Sequence, residues 1–153
     1  WVVARMCELA RNGRELDSVL EVGTGCGYQT AVLAQLAKTV YTVERIGSLV
    51  NKARRNLQRL KVGNVRLKHG DGGADLGEEL VVDAIIVAAG ATHLPASLQK
   101  HLRPGVRIVL PLASRDEGER GVQRLTVFEA TPTGLLETTL DTVRFVPLLA
   151  GRA

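Results

Sequence analysis

Apolar and polar positions along the chain change period several times, and the changes mark out the elements. Val2, Val3, Met6, Leu9 and Ala10 fall on one face of a helix that Asn12 and Gly13 stop. A strand over residues 18–22 then runs into a turn with glycine at alternate positions, and a helix over 29–37 follows. The spacing next predicts a strand over 39–43 that ends at Glu44. After it comes a helix over 48–60 with Leu49, Ala53, Leu57 and Leu60 on one face and basic residues opposite. A short strand over 65–67 leads into His69-Gly70-Asp71-Gly72. The run over 82–88 is apolar at almost every position, as in a strand covered on both faces. Pro95 suits the first turn of a helix that carries Leu98 and Leu102 inward and stops near Arg103-Pro104-Gly105.

From there the pattern becomes β-rich. Strands are expected over 107–112, 124–129 and 136–149, with Pro132, Thr133 and Gly134 as turn residues and a polar loop over 114–121. Strand–helix units followed by a β pair predict an α/β fold of Rossmann-like type. Its sheet is mostly parallel with an antiparallel C-terminal edge, and helices lie on both faces. The 153 residues are expected to form a single domain, 1–153, with no internal repeat. Because the first residues already read as the middle of a helix, a preceding segment is expected to be missing.

Charge alters this picture little. Lys and Arg number 20 against 16 Asp and Glu, a formal net charge of +4. Much of the excess lies at Lys52, Arg54, Arg55, Arg59, Lys61, Arg66 and Lys68. Nucleic-acid grooves interleave such charge with stacking aromatics. None stands in this stretch, so a solvated helix face is expected and no nucleic-acid partner. No apolar stretch approaches the roughly 18 to 20 residues that span a bilayer, so no membrane partner is expected either. Two cysteines, Cys7 and Cys26, make no disulfide framework and fit reduced thiols in the cytoplasm. His69, His93 and His101 lack metal-ligand spacing, and no metal is expected. His69 adjoins the Gly70-Asp71-Gly72 turn, and His101 is expected on a helix surface.

The chemistry is concentrated in residues 19–27, VLEVGTGCG. A strand running through glycines into a helix is the nucleotide-binding corner of an open α/β sheet. The spacing here is G-x-G-x-G rather than the dinucleotide G-x-G-x-x-G, which favours S-adenosylmethionine over NAD. Glu44 ends the second strand about 20 residues past the first glycine, where a carboxylate can accept both ribose hydroxyls. Asp71 follows the third strand, on the side expected for adenine.

With these residues in place, the chain resembles the protein-L-isoaspartate O-methyltransferase family along nearly its whole length. The stretches that carry the likeness are VLEVGTGCGYQTAVLA, VERI, NVRLKHGDG, DAIIVAA, LPASLQKHLRPG and VRFVPL. The resemblance implies methyl transfer from S-adenosylmethionine to the free carboxylate of L-isoaspartyl (D-aspartyl) residues in damaged proteins, the first step of their repair. It assigns Glu21, Gly23, Thr24, Gly25 and Gly27 to the cofactor turn, Glu44 to the ribose, and Asp71 and Gly72 to the adenine side. Ala88, Ala89, Phe145, Val146 and Pro147 would lie near the substrate peptide.

Departures from the family pattern are Cys26 in place of a serine, Gly105-Val106 for a glycine pair, and Pro111-Leu112-Ala113 for proline-valine-glycine. Leu149 stands where some members carry a polar residue. The family's Thr- or Ser-containing motif would fall upstream of Trp1, so no catalytic residue is assigned within the chain. A monomer acting on isoaspartyl-containing proteins and peptides is the expectation. The rival readings are an RNA, DNA or small-molecule methyltransferase, and a cofactor-binding fragment without turnover. Base methylation commonly uses an Asp/Asn-Pro-Pro-aromatic turn, and Ala88-Ala89-Gly90-Ala91 lacks the aromatic.

Overall fold

A computed structural model describes residues 1–73, 80–115 and 121–153. The element order is α1 (Val2–Arg11), β1 (Leu16–Val22), α2 (Tyr28–Leu36), β2 (Ala37–Glu44), α3 (Gly47–Arg59), β3 (Val65–His69), β4 (Ala84–Val87), α4 (Ala96–Gln99), β5 (Arg107–Ala113), β6 (Gln123–Thr131) and β7 (Gly134–Val143). All seven strands join one sheet in the order β3-β2-β1-β4-β5-β6-β7. The first five are parallel to one another. β6 and β7 are antiparallel to theirs. This is the Rossmann-like arrangement with an antiparallel C-terminal edge that the alternating pattern predicts.

Successive side chains on a strand point to opposite faces, and this alternation divides the core in two. On one face Val19, Val40, Ala84, Ile86 and Val109 pack with Met6, Cys7 and Ala10 of α1 and Leu33 of α2. On the other, Leu20, Val22, Val43, Ile85, Val87, Ile108 and Leu110 pack with Leu98 of α4. The parallel central strands are buried from both sides, which is why they read as unbroken apolar runs. α1 ends where the sequence places its stop, with Asn12 left-handed at φ 50°. Two long-range contacts fix its position: Arg107 donates from Nη1 to the Leu9 carbonyl, and Arg5 pairs with Asp141 of β7 at 3.0 Å.

Several boundaries differ from the predicted ones. No loop separates α2 from β2; the chain passes from Leu36 directly into the extended Ala37. Asn64 makes this abrupt exit feasible, its Nδ2 donating to the carbonyls of Ala34 and Ala37 at 2.9 and 3.0 Å. β4 stops at Val87 and α4 is a single turn, both shorter than the pattern suggests. β7 starts at Gly134 and ends at Val143, so the expected strand over 136–149 is half strand and half irregular tail. Of the expected loop over 114–121, residues 116–120 lie outside the described residues. His101 is buried, at 7% exposure, rather than on a surface. It lies in the turn after α4, its amide donating to the Leu98 carbonyl at 3.0 Å.

Candidate cofactor and acceptor site

In the sheet order, β2 and β4 flank β1, and the chain has moved to opposite sides of it. Such a switch point leaves a crevice outside the carboxyl ends of the strands, where open α/β sheets bind ligands. A cavity of about 380 Å³ occupies this place. Its floor and one wall come from Val22, Gly23, Gly25, Val43 and Glu44, and Ile46 and Leu49 extend that wall at the start of α3. Ala88 and Ala89, just past β4, and Val146–Leu149 close the other side.

The turn between β1 and α2 depends on its glycines. Gly23, Gly25 and Gly27 all have positive φ, at 98°, 57° and 92°. Side-chain-bearing residues rarely adopt such angles, so the alternate glycines are a backbone requirement. Gly23 also lies close to the β4 exit: a Cβ on it would stand 3.4 Å from the Ala88 Cβ. The amides of Gly23 and Thr24 donate to the Val43 carbonyl at 2.9 and 3.3 Å.

Glu44 is buried at the rim and braces the same turn. Its Oε2 accepts from the Gly25 amide and its Oε1 from the Ile46 amide, each at 2.9 Å. Every carboxylate oxygen has a second lone pair, so both retain acceptor capacity toward the cavity.

Glu21 is placed differently from Glu44 and the turn residues around it. Pairing puts it opposite Thr42 within the sheet, one position before the end of β1. Alternation therefore sends its side chain to the α1/α2 face, while Val22 and Val43 face the cavity. The fully buried carboxylate accepts from Thr30 Oγ1 at 2.5 Å and from Thr42 Oγ1 at 2.7 Å, both on Oε1. Thr24 Oγ1 lies 2.6 Å from Thr42 Oγ1. With Thr42 donating to Glu21, Thr24 donates to Thr42, and a buried polar chain ties the turn to the sheet. Glu21 Oε2 has no protein partner. Burial, aided by the charge of Glu44 and opposed by the two threonine bonds, pushes the Glu21 carboxyl up to about 7. Burial likewise raises the nearby Cys7 thiol to about 11, with Glu21 adding to the shift.

The other expected site residues divide in the same way. Gly72 lines the cavity and has no space for a side chain, since a Cβ there would meet Val22 Cγ1 at 2.3 Å. Gly27 instead packs on α3, its Cβ position 3.5 Å from Ala53 and Leu57. Asp71 is turned to the backbone, accepting from the Gly73 amide on Oδ1 and the Gly151 amide on Oδ2 at 2.8 and 2.7 Å. Ala88, Ala89, Val146 and Pro147 all reach the cavity. Phe145, one residue earlier, packs against the α1/α2 core instead.

Sequence reasoning did not single out Val22, Val43, Ile46 or Leu148 as wall residues, nor Thr30 and Thr42 as partners of Glu21. The strand pairing of Glu21 with Thr42 is a signal that only a known register supplies. Residues 150–153 continue past the cavity: Ala153 exchanges backbone bonds with Arg45 and Gly47 at 2.7 and 2.8 Å. His69 Nε2 lies 3.1 Å from the Ala153 carbonyl, so this histidine does touch the site's surroundings. The basic residues of α3 are exposed, as a solvated face requires. Among the described residues no cluster of metal-ligating side chains occurs and no helix is long and apolar enough to cross a membrane.

Known proteins match this arrangement. A protein of Dechloromonas aromatica named protein-L-isoaspartate O-methyltransferase is 55% identical over 99% of this chain and 68% of its own length. One of Chromobacterium violaceum with the same name is 49% identical over 98% of this chain and 65% of its own. The chain thus spans about two thirds of the length of these curated relatives. Among solved structures, one titled protein-L-isoaspartate O-methyltransferase superposes with a TM-score of 0.80 at 27% identity, over 95% of this chain and 46% of that one. Another, assigned to the same enzyme in Plasmodium falciparum and bound to S-adenosyl-L-homocysteine, gives 0.74 at 25% identity, over 96% of this chain and 71% of that one. The family model for protein-L-isoaspartate(D-aspartate) O-methyltransferase matches residues 1–153. The chain belongs to the protein-L-isoaspartate(D-aspartate) O-methyltransferase family.

Proposed function

We propose that this chain forms the catalytic fold of an enzyme that methylates the free carboxylate of L-isoaspartyl and D-aspartyl residues in damaged proteins, using S-adenosylmethionine. The observation that carries the reading is the switch-point cavity itself, with the positive-φ glycine turn and Glu44 on one wall and small and apolar residues on the other. The residues present fit the cofactor. Gly23 and Gly25 allow close approach to the main chain, Glu44 keeps lone pairs for ribose hydroxyls, and Ile46, Leu49 and Gly72 offer apolar, uncrowded surface for a base. When bound, the cofactor supplies an electrophilic methyl group on a sulfonium.

What remains for the protein is mainly geometric. A carboxylate acceptor is ionised at neutral pH, its pKa lying near 4, so no general base has to act on it. Ala88, Ala89, Val146 and Pro147 would form the acceptor side, excluding water and aligning the carboxylate oxygen with the methyl group. Such alignment contributes several kcal/mol, up to about 7 to 11 in ideal cases. We take the enzyme to be a cytoplasmic monomer that acts on protein rather than nucleic acid.

The test uses the full-length protein and this chain side by side. Each is incubated with methyl-labelled S-adenosylmethionine and an isoaspartyl peptide, its aspartyl twin, or RNA. Base-labile label on the isoaspartyl peptide alone is the expected outcome for the full-length protein. Base-stable label on RNA, or equal labelling of the two peptides, overturns the reading.

A further inference from the structure

The tail that closes the cavity leaves the sheet at Val143, and residues 145–148 are held beside Gly90 as they cross the carboxyl edge. Past β4, the segment 88–91 is wedged between two partners. On one side Ala91 bridges to β5, its amide donating to the Pro111 carbonyl and its carbonyl accepting from the Ala113 amide, at 3.0 and 2.8 Å. On the other, Gly90 bridges to Pro147 of the tail: the Gly90 amide donates to the Val146 carbonyl at 2.7 Å and its carbonyl accepts from the Leu148 amide at 2.8 Å.

A side chain from a third element spans the same point. Gln123, the first residue of β6, accepts from the Phe145 amide on Oε1 at 2.7 Å and donates from Nε2 to the Phe145 carbonyl at 3.2 Å. Its amide thus imitates a neighbouring strand, satisfying both backbone groups of Phe145 at once. It reaches them by lying over Gly90. A Cβ on Gly90 would stand 2.1 Å from Gln123 Nε2 and 2.7 Å from its Cδ. The φ of Gly90 is not positive, so what a side chain there would disturb is not the backbone angle but the Gln123 amide, which would have to move aside.

We infer that Gln123 is a positioning residue: lying over Gly90, its amide fixes the Phe145 backbone and so sets where Val146–Leu149 stand as the outer wall of the cavity. Gln123 does not line the cavity, and it acts through the tail alone. The inference rests on the methyltransferase reading for what the wall borders, while the clamp itself can be judged without turnover.

The experiment compares Gln123→Ala, Gln123→Glu, Gly90→Ala and the Gly90→Ala/Gln123→Ala pair in the full-length protein. Affinity for S-adenosyl-L-homocysteine is measured by calorimetry, kcat and KM with an isoaspartyl peptide, and hydrogen exchange at the Phe145 amide. For Gln123→Ala, about a tenfold rise in the dissociation constant and in peptide KM is expected, kcat changing less than twofold. The Phe145 amide should lose its protection. Gln123→Glu keeps the acceptor for the Phe145 amide and loses the donor, so it should recover part of both. Gly90→Ala should reproduce the Gln123→Ala defect, and the pair should be no worse than either single change, because both disable one clamp.

Unchanged affinity and KM with only a lowered melting temperature would make Gln123 a purely structural residue and overturn the inference. Additive effects in the pair would do the same for the role of Gly90. If no variant nor the parent methylates the peptide, the isoaspartyl reading fails. The cofactor affinities and the Phe145 exchange still decide on Gln123. If Gln123→Ala does not fold, Gln123→Glu carries the comparison.

Discussion

The glycine turn and the Val146–Leu149 strap face each other across one cavity, yet the means that hold them differ. The turn is a short stretch of contiguous chain, fastened from beneath by the buried Glu21–Thr42–Thr24 chain and from the rim by Glu44. The strap is assembled from parts far apart in sequence: Gly90, Gln123 and Phe145 place it, and Asp71 and Arg45 bind the residues beyond it. Its Val146 is exposed, whereas Glu21 is fully buried. A wall built on buried polar groups is costly to disturb and leaves little freedom. One resting on surface backbone bonds opens at lower free energy. The difference fits the proposed division of the site, with a rigid turn for the cofactor and a looser wall toward a protein acceptor.

Breaking the rigid wall should have the largest consequence. In Gly72→Ala the new Cβ has nowhere to go: Val22 Cγ1 stands 2.3 Å away and Val43 Cγ1 3.0 Å away, on stiff β-branched residues that line the cavity. Overpacking of this kind costs about 1–3 kcal/mol of stability. Because the residues forced to move are the floor of the cavity, cofactor affinity should fall at least about tenfold with it. Denaturant unfolding and calorimetry check the two losses; a stable variant with full affinity would show that the floor is soft.

Glu21→Gln probes the buried support through pH. The folded carboxyl titrates near 7 and the unfolded one near its ordinary 4.5. Between these values the folded state binds more protons, so stability falls as pH rises through the window and levels off above it. Integrated over the shift, the loss amounts to roughly 3 kcal/mol. Gln imitates the protonated acid and removes this dependence. The variant should therefore gain on the parent between about pH 4.5 and 7, with the gap constant at higher pH. Parallel unfolding free energies at pH 5 and 8 would show that Glu21 does not carry the raised pKa.

Glu44→Ala tests the rim. The substitution strips the Gly25 and Ile46 amides of their acceptor and removes the lone pairs proposed for ribose. Loss of charged hydrogen bonds is worth about 1–3 kcal/mol. S-adenosyl-L-homocysteine affinity should drop accordingly, by more than any fall in unfolding free energy. An equal fall in both would reduce Glu44 to a brace for the turn.

The same contrast governs what could be read from the sequence. The turn was legible because its requirements are local: alternate glycines, an apolar strand before them and a helix after them leave few other structures. Glu21 was legible as a residue of interest, but its facing was not. One step of strand alternation decides between cavity and core, and the end of β1 at Val22 had to be known to count it. The strap was the least legible part. Residues 144–149 continue the β-like composition of β7, and nothing local says that the chain leaves the sheet at Val143 to pair with Gly90. Gln123 looks like one more polar residue beside a loop, and its meaning lies 22 residues away at Phe145. Gly90 has no positive φ to announce it; only the side chain above it does.

Leu149→Ala asks the smallest question of the strap. Leu149 is 53% exposed, so little of its side chain is removed from water on folding. Truncating such a residue shifts stability by no more than about 0.5 kcal/mol. Its inner edge nonetheless borders the cavity beside Leu148, and a bound ligand would cover more of it. At about 25 cal/mol per Å² of apolar surface covered, a loss of roughly 40 Å² corresponds to about 1 kcal/mol, near a fivefold change in affinity. The expected result is therefore an unaltered melting temperature with a few-fold weaker hold on S-adenosyl-L-homocysteine, read by thermal melts and calorimetry on one preparation. The reverse pattern, a lower melting temperature at unchanged affinity, would mean that Leu149 serves the fold and adds nothing to the hold on the ligand.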